Sequence, residues 1–299
     1  MEYLTIRDGQ FPKLGNSAVT MGKFDGVHRG HRKLIRRILQ EKEETGAPAV
    51  VLAFVSDKKM IFTKAERRDL LERMGVDYLL ECPLDDRIRH MKAENFVRQV
   101  LVGDLHISRA VVGEDFHFGH ERKGTPEFLE KYGRRAGFDT EILSKEMDGD
   151  RKISSTYVRE ELKRGNMEKT AELLGCDFYV SGTVEHGRGM GHRTFFPTAN
   201  IIPPQEKLLP PNGVYITVSG FGAEVYPGIT NVGYKPTVGE NFIGVETFLF
   251  NCEKNLYGRN CTVQFKKFLR PEHKFSSFEA LKAQIARDIE KGRKFFQMD

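Results

Sequence analysis

Apolar runs and helical periods alternate along the first 144 residues of the chain. The runs at 18–21, 49–54, 78–82, 110–113 and 140–143 read as strands. Helical patterns fall at roughly 29–45, 64–74, 92–102 and 126–136. Thr63-Lys64-Ala65-Glu66 has the spacing of a capping box, and Thr125-Pro126 that of an N-cap with proline in the first turn. Strand–helix alternation at this period predicts a doubly wound parallel sheet of Rossmann-like type. Residues 158–174 also read as helical, with Gly175 as a stop.

Past 178 the pattern changes. Short alternating runs at 179–185, 214–218, 225–232, 246–250 and 261–269 are broken by glycine, proline and asparagine. That spacing predicts an antiparallel β-barrel. A last helix is expected from Ser277 to about Lys294, with Phe278, Leu281, Ile285 and Ile289 on one face. The expected division is therefore an α/β domain over 1–177 and a β domain over 178–299.

Composition narrows the class of protein. The 299 residues are 39% hydrophobic and 30% charged, which suits two soluble domains with real cores. No run approaches the roughly 18 apolar residues of a membrane span. Met1-Glu2-Tyr3-Leu4-Thr5 lacks the basic and apolar regions of a signal peptide, so a cytoplasmic location is expected. The four cysteines, Cys82, Cys176, Cys252 and Cys261, show neither zinc nor redox-pair spacing. The net charge of +5 is spread along the chain. It suits small anionic ligands, and there is no basic tail to bind nucleic acid.

The densest candidate chemistry lies at 19–31. An apolar run ends in Gly22-Lys23-Phe24-Asp25-Gly26-Val27-His28-Arg29-Gly30-His31, just before the first helical pattern. A helix N-terminus carries unpaired N–H groups and partial positive charge, and so favours a phosphate. Two imidazoles one turn apart would add donors to the same anion. Ligands of doubly wound sheets bind beyond the carboxyl ends of the strands, where this turn falls. The chain has no Gly-x-x-x-x-Gly-Lys-Ser/Thr phosphate loop.

The string Gly-x-Phe-Asp-Gly-x-His-x-Gly-His resembles the signature of the adenylyl-transferring domain of bacterial bifunctional riboflavin kinase/FAD synthetases. Val111-Val112-Gly113-Glu114-Asp115-Phe116-His117-Phe118-Gly119 and Ile153-Ser154-Ser155-Thr156-Tyr157-Val158-Arg159 resemble two more motifs of that family, in family order. The resemblance implies that His28 and His31 contact the ATP phosphates. It implies that Gly22, Phe24, Asp25, Gly30 and Asp115 shape the ATP/flavin pocket, and that Ser155, Thr156 and Arg159 clamp phosphate. The family's usual turn after the second strand, with its histidine and two prolines, is replaced here by Val55-Ser56-Asp57-Lys58-Lys59, and Lys23 stands where asparagine is usual.

The later half resembles the family's riboflavin kinase. His186-Gly187-Arg188-Gly189-Met190-Gly191-His192-Arg193-Thr194-Phe195-Phe196-Pro197-Thr198-Ala199-Asn200 ends in its Pro-Thr-Ala-Asn signature, with Phe195 where a glycine is usual. By resemblance Thr198 and Asn200 hold Mg²⁺ with the nucleotide. Gly187, Gly191, Pro197, Asn231 and Arg270 belong to the ATP/flavin site, and Glu246 is the catalytic carboxylate. Asn231-Val232-Gly233-Tyr234-Lys235-Pro236-Thr237 and Val245-Glu246-Thr247 carry the match onward. The implied activity is phosphorylation of riboflavin to FMN and adenylylation of FMN to FAD, with ATP as substrate in both. A member with one degraded site and a flavin-binding regulatory protein on the same scaffold are the alternatives. The implied partners are riboflavin, FMN and ATP, with no nucleic acid and no membrane. Self-association into a homo-oligomer is compatible with the family.

Overall fold

A computed structural model of the chain describes residues 1–55, 59–185, 198–236 and 241–298. The chain divides into two compact units, Met1–Lys58 with Lys64–Ser155, and Lys59–Thr63 with Thr156–Asp299. Residues 156–177, which the sequence pattern groups with the first domain, are thus counted with the second.

The first unit is built on a six-stranded sheet of order β1-β4-β3-β2-β5-β6. Its strands are β1 (Glu2–Thr5), β2 (Ser17–Gly22), β3 (Ala49–Val55), β4 (Tyr78–Pro83), β5 (Ile107–Gly113) and β6 (Asp139–Leu143). Every pairing is parallel. β2 and β3 are each buried at five successive positions, as expected of strands covered on both faces. The covering helices include α1 (Arg29–Thr45), α2 (Lys64–Met74), α3 (Asp86–His90), α4 (Ala93–Asn95) and α5 (Pro126–Ala136). α1 ends on Gly46, whose left-handed φ of 77° is cheap only for glycine. Thr125 caps α5 as the sequence suggests, accepting from the Phe128 N–H at 3.1 Å. The period at 92–102 becomes α4 followed by a π-helical stretch, Phe96–Asp104. Phe96, Val97, Val100 and Leu101 of that stretch are buried in the core.

A hairpin of β7 (Met147–Asp148) and β8 (Arg151–Lys152) leads into α6 (Ser155–Arg164), at whose start the division between the units falls. The second unit contains α7 (Met167–Leu174) and a six-stranded antiparallel sheet of order β10-β13-β12-β11-β14-β9. Its strands are β9 (Phe178–Thr183), β10 (Thr198–Ile201), β11 (Gly213–Phe221), β12 (Glu224–Pro236), β13 (Asn241–Leu249) and β14 (Asn260–Pro271). The edge strands approach each other through a bridge between Glu185 and Asn200, with the Glu185 N–H donating to the Asn200 carbonyl at 2.8 Å. The terminal helix α8 (Phe278–Phe295) lies against β12. A Cβ at Gly292 would fall 2.6 Å from Ile229 and 2.9 Å from Phe250, so only glycine permits this approach.

Lys59–Thr63 joins the second unit through paired backbone. The Met60 N–H donates to the Glu206 carbonyl at 2.7 Å, and the Leu208 N–H to the Met60 carbonyl at 2.8 Å. The buried Lys207 ammonium donates to the carbonyls of Ile61 at 2.8 Å and Tyr179 at 2.7 Å.

Candidate active sites

The order of the first sheet reverses between β2 and β5, and doubly wound sheets bind ligands in the crevice at such a reversal. A cavity of about 800 Å³ lies there, reached by Gly22 at the end of β2, Gly113 at the end of β5 and Leu143 at the end of β6. Gly22, Gly30, His28, His31, Asp115 and Ser155 all line it. Residues more than a hundred positions apart are thus brought to one pocket.

His28 is the N-cap of α1, and its Nδ1 accepts the backbone N–H of His31 at 3.4 Å. That bond fixes the neutral tautomer with the proton on Nε2, which leaves a donor for an anion. The His28 and His31 rings stack at 3.7 Å with 20° between their planes. Burial pushes His28 down to about 4, against opposing pulls from Asp25 and Asp115. Burial first, then His28 and Arg67, hold His31 well below the usual imidazole range. Both rings are therefore neutral near pH 7. Beside a helix N-terminus they offer an anion N–H donors and no cationic charge. His31 Nδ1 is buried and has no hydrogen-bond partner among the described residues, a polar atom that a ligand would satisfy.

The turn before these histidines is unusual in backbone. Phe24 and Val27 have φ of 46° and 42°, a left-handed region costly for side chains with a Cβ. Phe24 is completely buried and its ring lies 4.9 Å from that of His31, so it acts as a wedge under the pair. Asp25 contributes its carbonyl, which accepts from Ser155 Oγ at 2.9 Å. A Cβ on Gly30 would sit 3.2 Å from the His28 ring, so this glycine leaves room for the stack.

Four wall residues, Lys33, Ser144, Lys145 and Glu146, carry no signal in the sequence. Lys33 donates to the Ser144 carbonyl at 2.9 Å, and Arg29 pairs with Glu146 at 2.8 Å. Lys145 pairs with Asp115 at 2.8 Å, and that hydrogen bond raises the lysine's affinity for its proton. Phe116 and Phe118 stack at 5.5 Å and give the cavity an apolar face. Isolated basic residues carry no local signal and are gathered only by the fold, whereas Phe116 and Phe118 lie in the 111–119 motif that the sequence marks out. Thr156 and Arg159 belong to the second unit, where Arg159 donates to the Lys59 carbonyl. The Ser155-Thr156 string with Arg159 is thus divided between the units.

In the second unit, register assembles a polar row. Asn200 on β10 and Asn231 on β12 are both register partners of Glu246 on β13. Partners across a sheet share a face, so the three side chains line up. Thr198 donates to Glu246 Oε1 at 2.9 Å, and Asn200 Nδ2 lies 3.5 Å from the Thr198 hydroxyl. On the opposite face the buried hydroxyls of Thr217, Thr230 and Thr247 link at 2.7 Å and pin this register. Asn231 donates to Glu272 at 3.2 Å, and Gly233 leaves the space that the Glu272 carboxylate fills. Arg270 is engaged within the unit by the buried Asp288, with Nη2 at 2.7 Å and Nε at 3.0 Å. Gly187, Gly191 and Pro197, together with Phe195, lie outside the described residues, as do positions 56–58 of the altered turn.

A family model described as FAD synthetase matches residues 11–157, and one described as riboflavin kinase matches residues 174–296. The bifunctional riboflavin kinase/FMN adenylyltransferase of Escherichia coli (strain K12) is 38% identical over 298 residues, covering 96% of this chain and 95% of that protein. That of Bacillus subtilis (strain 168) is 31% identical over 295 residues, covering 94% and 92%. A crystal structure described as a macrolide-efflux protein from Streptococcus pneumoniae superposes with a TM-score of 0.88 at 27% identity, covering 98% of this chain and 99% of that one. Among the described residues, no helix is long and apolar enough to cross a membrane.

Proposed function

This chain belongs to the bifunctional riboflavin kinase/FMN adenylyltransferase family, and on that premise we propose that it makes FAD from riboflavin in two ATP-dependent steps. The second unit transfers the γ-phosphoryl group of ATP to riboflavin, giving FMN. The first unit transfers AMP from a second ATP to the FMN phosphate, giving FAD and pyrophosphate.

In adenylyl transfer an FMN phosphate oxygen attacks the α-phosphorus of ATP, and the bond to the pyrophosphate oxygen breaks. The nucleophile is already an anion and the leaving group is stable, so the site has only to align reactants and offset charge. The single observation that carries the reading is the stacked, neutral His28–His31 pair at the N-terminus of α1, opening on a cavity of about 800 Å³. His28 Nε2 and His31 donate to the triphosphate, and Ser155 holds the turn through the Asp25 carbonyl. The apolar face of Phe116 and Phe118 suits a flavin ring.

In the kinase step a riboflavin hydroxyl attacks the γ-phosphorus, the bond from that phosphorus to the β–γ bridging oxygen breaks, and ADP leaves. Glu246 accepts the hydroxyl proton, and Thr198 orients that carboxylate from β10. The hydroxyl of Thr198 and the amide oxygen of Asn200, next to a carboxylate, form a donor set suited to a hard divalent cation, so Mg²⁺ fits here. When bound, such an ion supplies neutralisation of the phosphate oxygens. The proposed partners are the small molecules riboflavin, FMN and ATP.

Variants in the full chain test this division. His31→Ala should lose FMN adenylylation and keep riboflavin phosphorylation, and Glu246→Ala should do the reverse. Loss of the opposite activity by either variant would overturn the assignment.

A further inference from the structure

One buried charged pair near the first site has no part in the chemistry above. The side chains of Arg67 on α2 and Glu81 on β4 are 3% and 0% exposed. Glu81 accepts from Arg67 Nη2 and from the Tyr3 hydroxyl at 2.9 Å, with Lys64 Nζ at 3.7 Å. The carboxylate is thus held from α2 and β1 at once. Arg67 turns its other terminal nitrogen outward: Nη1 donates to the carbonyl of Lys23 at 3.3 Å.

Lys23 sits in the histidine turn, between the last residue of β2 and the left-handed Phe24. Gly22, Lys23, His28 and His31 line the cavity, whereas Arg67 is not part of its wall. Arg67 Nε is buried without a hydrogen-bond partner among the described residues. A bare structural clamp would gain from a full set of bonds, yet this guanidinium is stretched between Glu81 and the turn. Strained backbone persists only where its surroundings over-determine it. The Arg67–Lys23 bond is one such restraint, and the Phe24 wedge passes any movement of the turn on to His31, 4.9 Å away.

We infer that Arg67, clamped by Glu81, is a positioning residue for adenylyl transfer: it fixes the Lys23 carbonyl and thereby places the His28–His31 pair against the triphosphate. This rests on the reading that the histidine turn holds the ATP of FMN adenylylation. A guanidinium suits this role because its two terminal nitrogens are held apart in one rigid plane, so Nη2 reaches Glu81 while Nη1 reaches the Lys23 carbonyl.

The test uses two variants of the full chain. Arg67→Met/Glu81→Gln removes both charges together, so that no lone buried charge is left behind. Arg67→Lys keeps the cation but not the fork, and serves where the double variant fails to fold. For a folded variant, the kcat of FMN adenylylation should fall at least about tenfold with KM for FMN within about twofold, the signature of misplacement. Riboflavin phosphorylation by the same preparation should be unchanged. Unchanged adenylylation kcat in a folded variant would overturn the inference, as would an equal fall in both activities. His31→Ala, run in parallel, separates the two claims. If it keeps full adenylylation, the site reading itself fails. If it loses activity while the Arg67 variants do not, only the positioning role fails.

Discussion

Thr198 on β10 donates a hydrogen bond to Glu246 on β13 at 2.9 Å, and the Asn200↔Glu246 register sets the two strands to make it. A hydrogen bond to a charged group contributes about 1.5–3 kcal/mol. Thr198→Val keeps the shape and removes the hydroxyl. It should lower the kcat of riboflavin phosphorylation by about 10- to 100-fold. FMN adenylylation should be untouched, and steady-state assays of the two reactions on one preparation check both outcomes.

The stacked histidines make the first unit sensitive to acid. Asp25 and Asp115 face His28 and favour its protonation; Arg67 and His28 oppose that of His31, and burial outweighs both aspartates. Above about pH 6.5, His28 is neutral in both folded and unfolded chains and contributes no pH dependence. As pH falls from 6.5 to about 4, the unfolded chain takes up a proton that the folded unit refuses, so stability drops. His28 alone should account for about 3 kcal/mol by pH 4, where the loss levels off. Thermal melts of the unsubstituted chain and of His28→Gln at pH 7, 5.5 and 4.5 should show a shallower acid loss in the variant.

Gly30 leaves little room for a side chain. A Cβ there would meet the His28 ring at 3.2–3.3 Å, and the neighbour would have to yield by a few tenths of an ångström. Gly30→Ala should therefore tilt the histidine stack without unfolding the unit. The expected result is a fall of about tenfold in adenylylation kcat with an unchanged melt.

Arg270 and Asp288 test the second unit. Asp288 is 2% exposed and accepts from Arg270 twice and from Gln284 at 2.9 Å. Asp288→Ala strands a guanidinium that retains some access to water. The cost should be about 2–3 kcal/mol, below the 3–5 kcal/mol of a fully buried pair. Denaturant unfolding followed by loss of riboflavin phosphorylation measures it.

The parts of this protein visible in its sequence are those with local causes. β3 reads directly from the run at 49–54, because a strand covered on both faces must be apolar throughout. The His28–His31 turn reads from ten consecutive residues, because the cap, the glycines and the helix start are neighbours in the chain. β1 carries no such signal: its four residues are half-exposed and gain strand form by pairing with β4, each with a partner 76 positions on. β10 is four residues long, too short to set a period of its own after the loop motif that runs into it. Arg67, Glu81 and Lys145 carry no signal either, since their meaning lies in partners set by the fold. The attachment of Lys59–Thr63 to the second unit is likewise a tertiary fact, made by backbone pairing with residues 206–208.

The central claim is that one chain carries both steps from riboflavin to FAD. The direct measurement is to incubate the purified full chain with riboflavin, ATP and Mg²⁺, and to separate the flavins over time. FMN should appear first and FAD after it, with pyrophosphate released in step with FAD. FMN without FAD, or FAD from added FMN but no FMN from riboflavin, would contradict the claim.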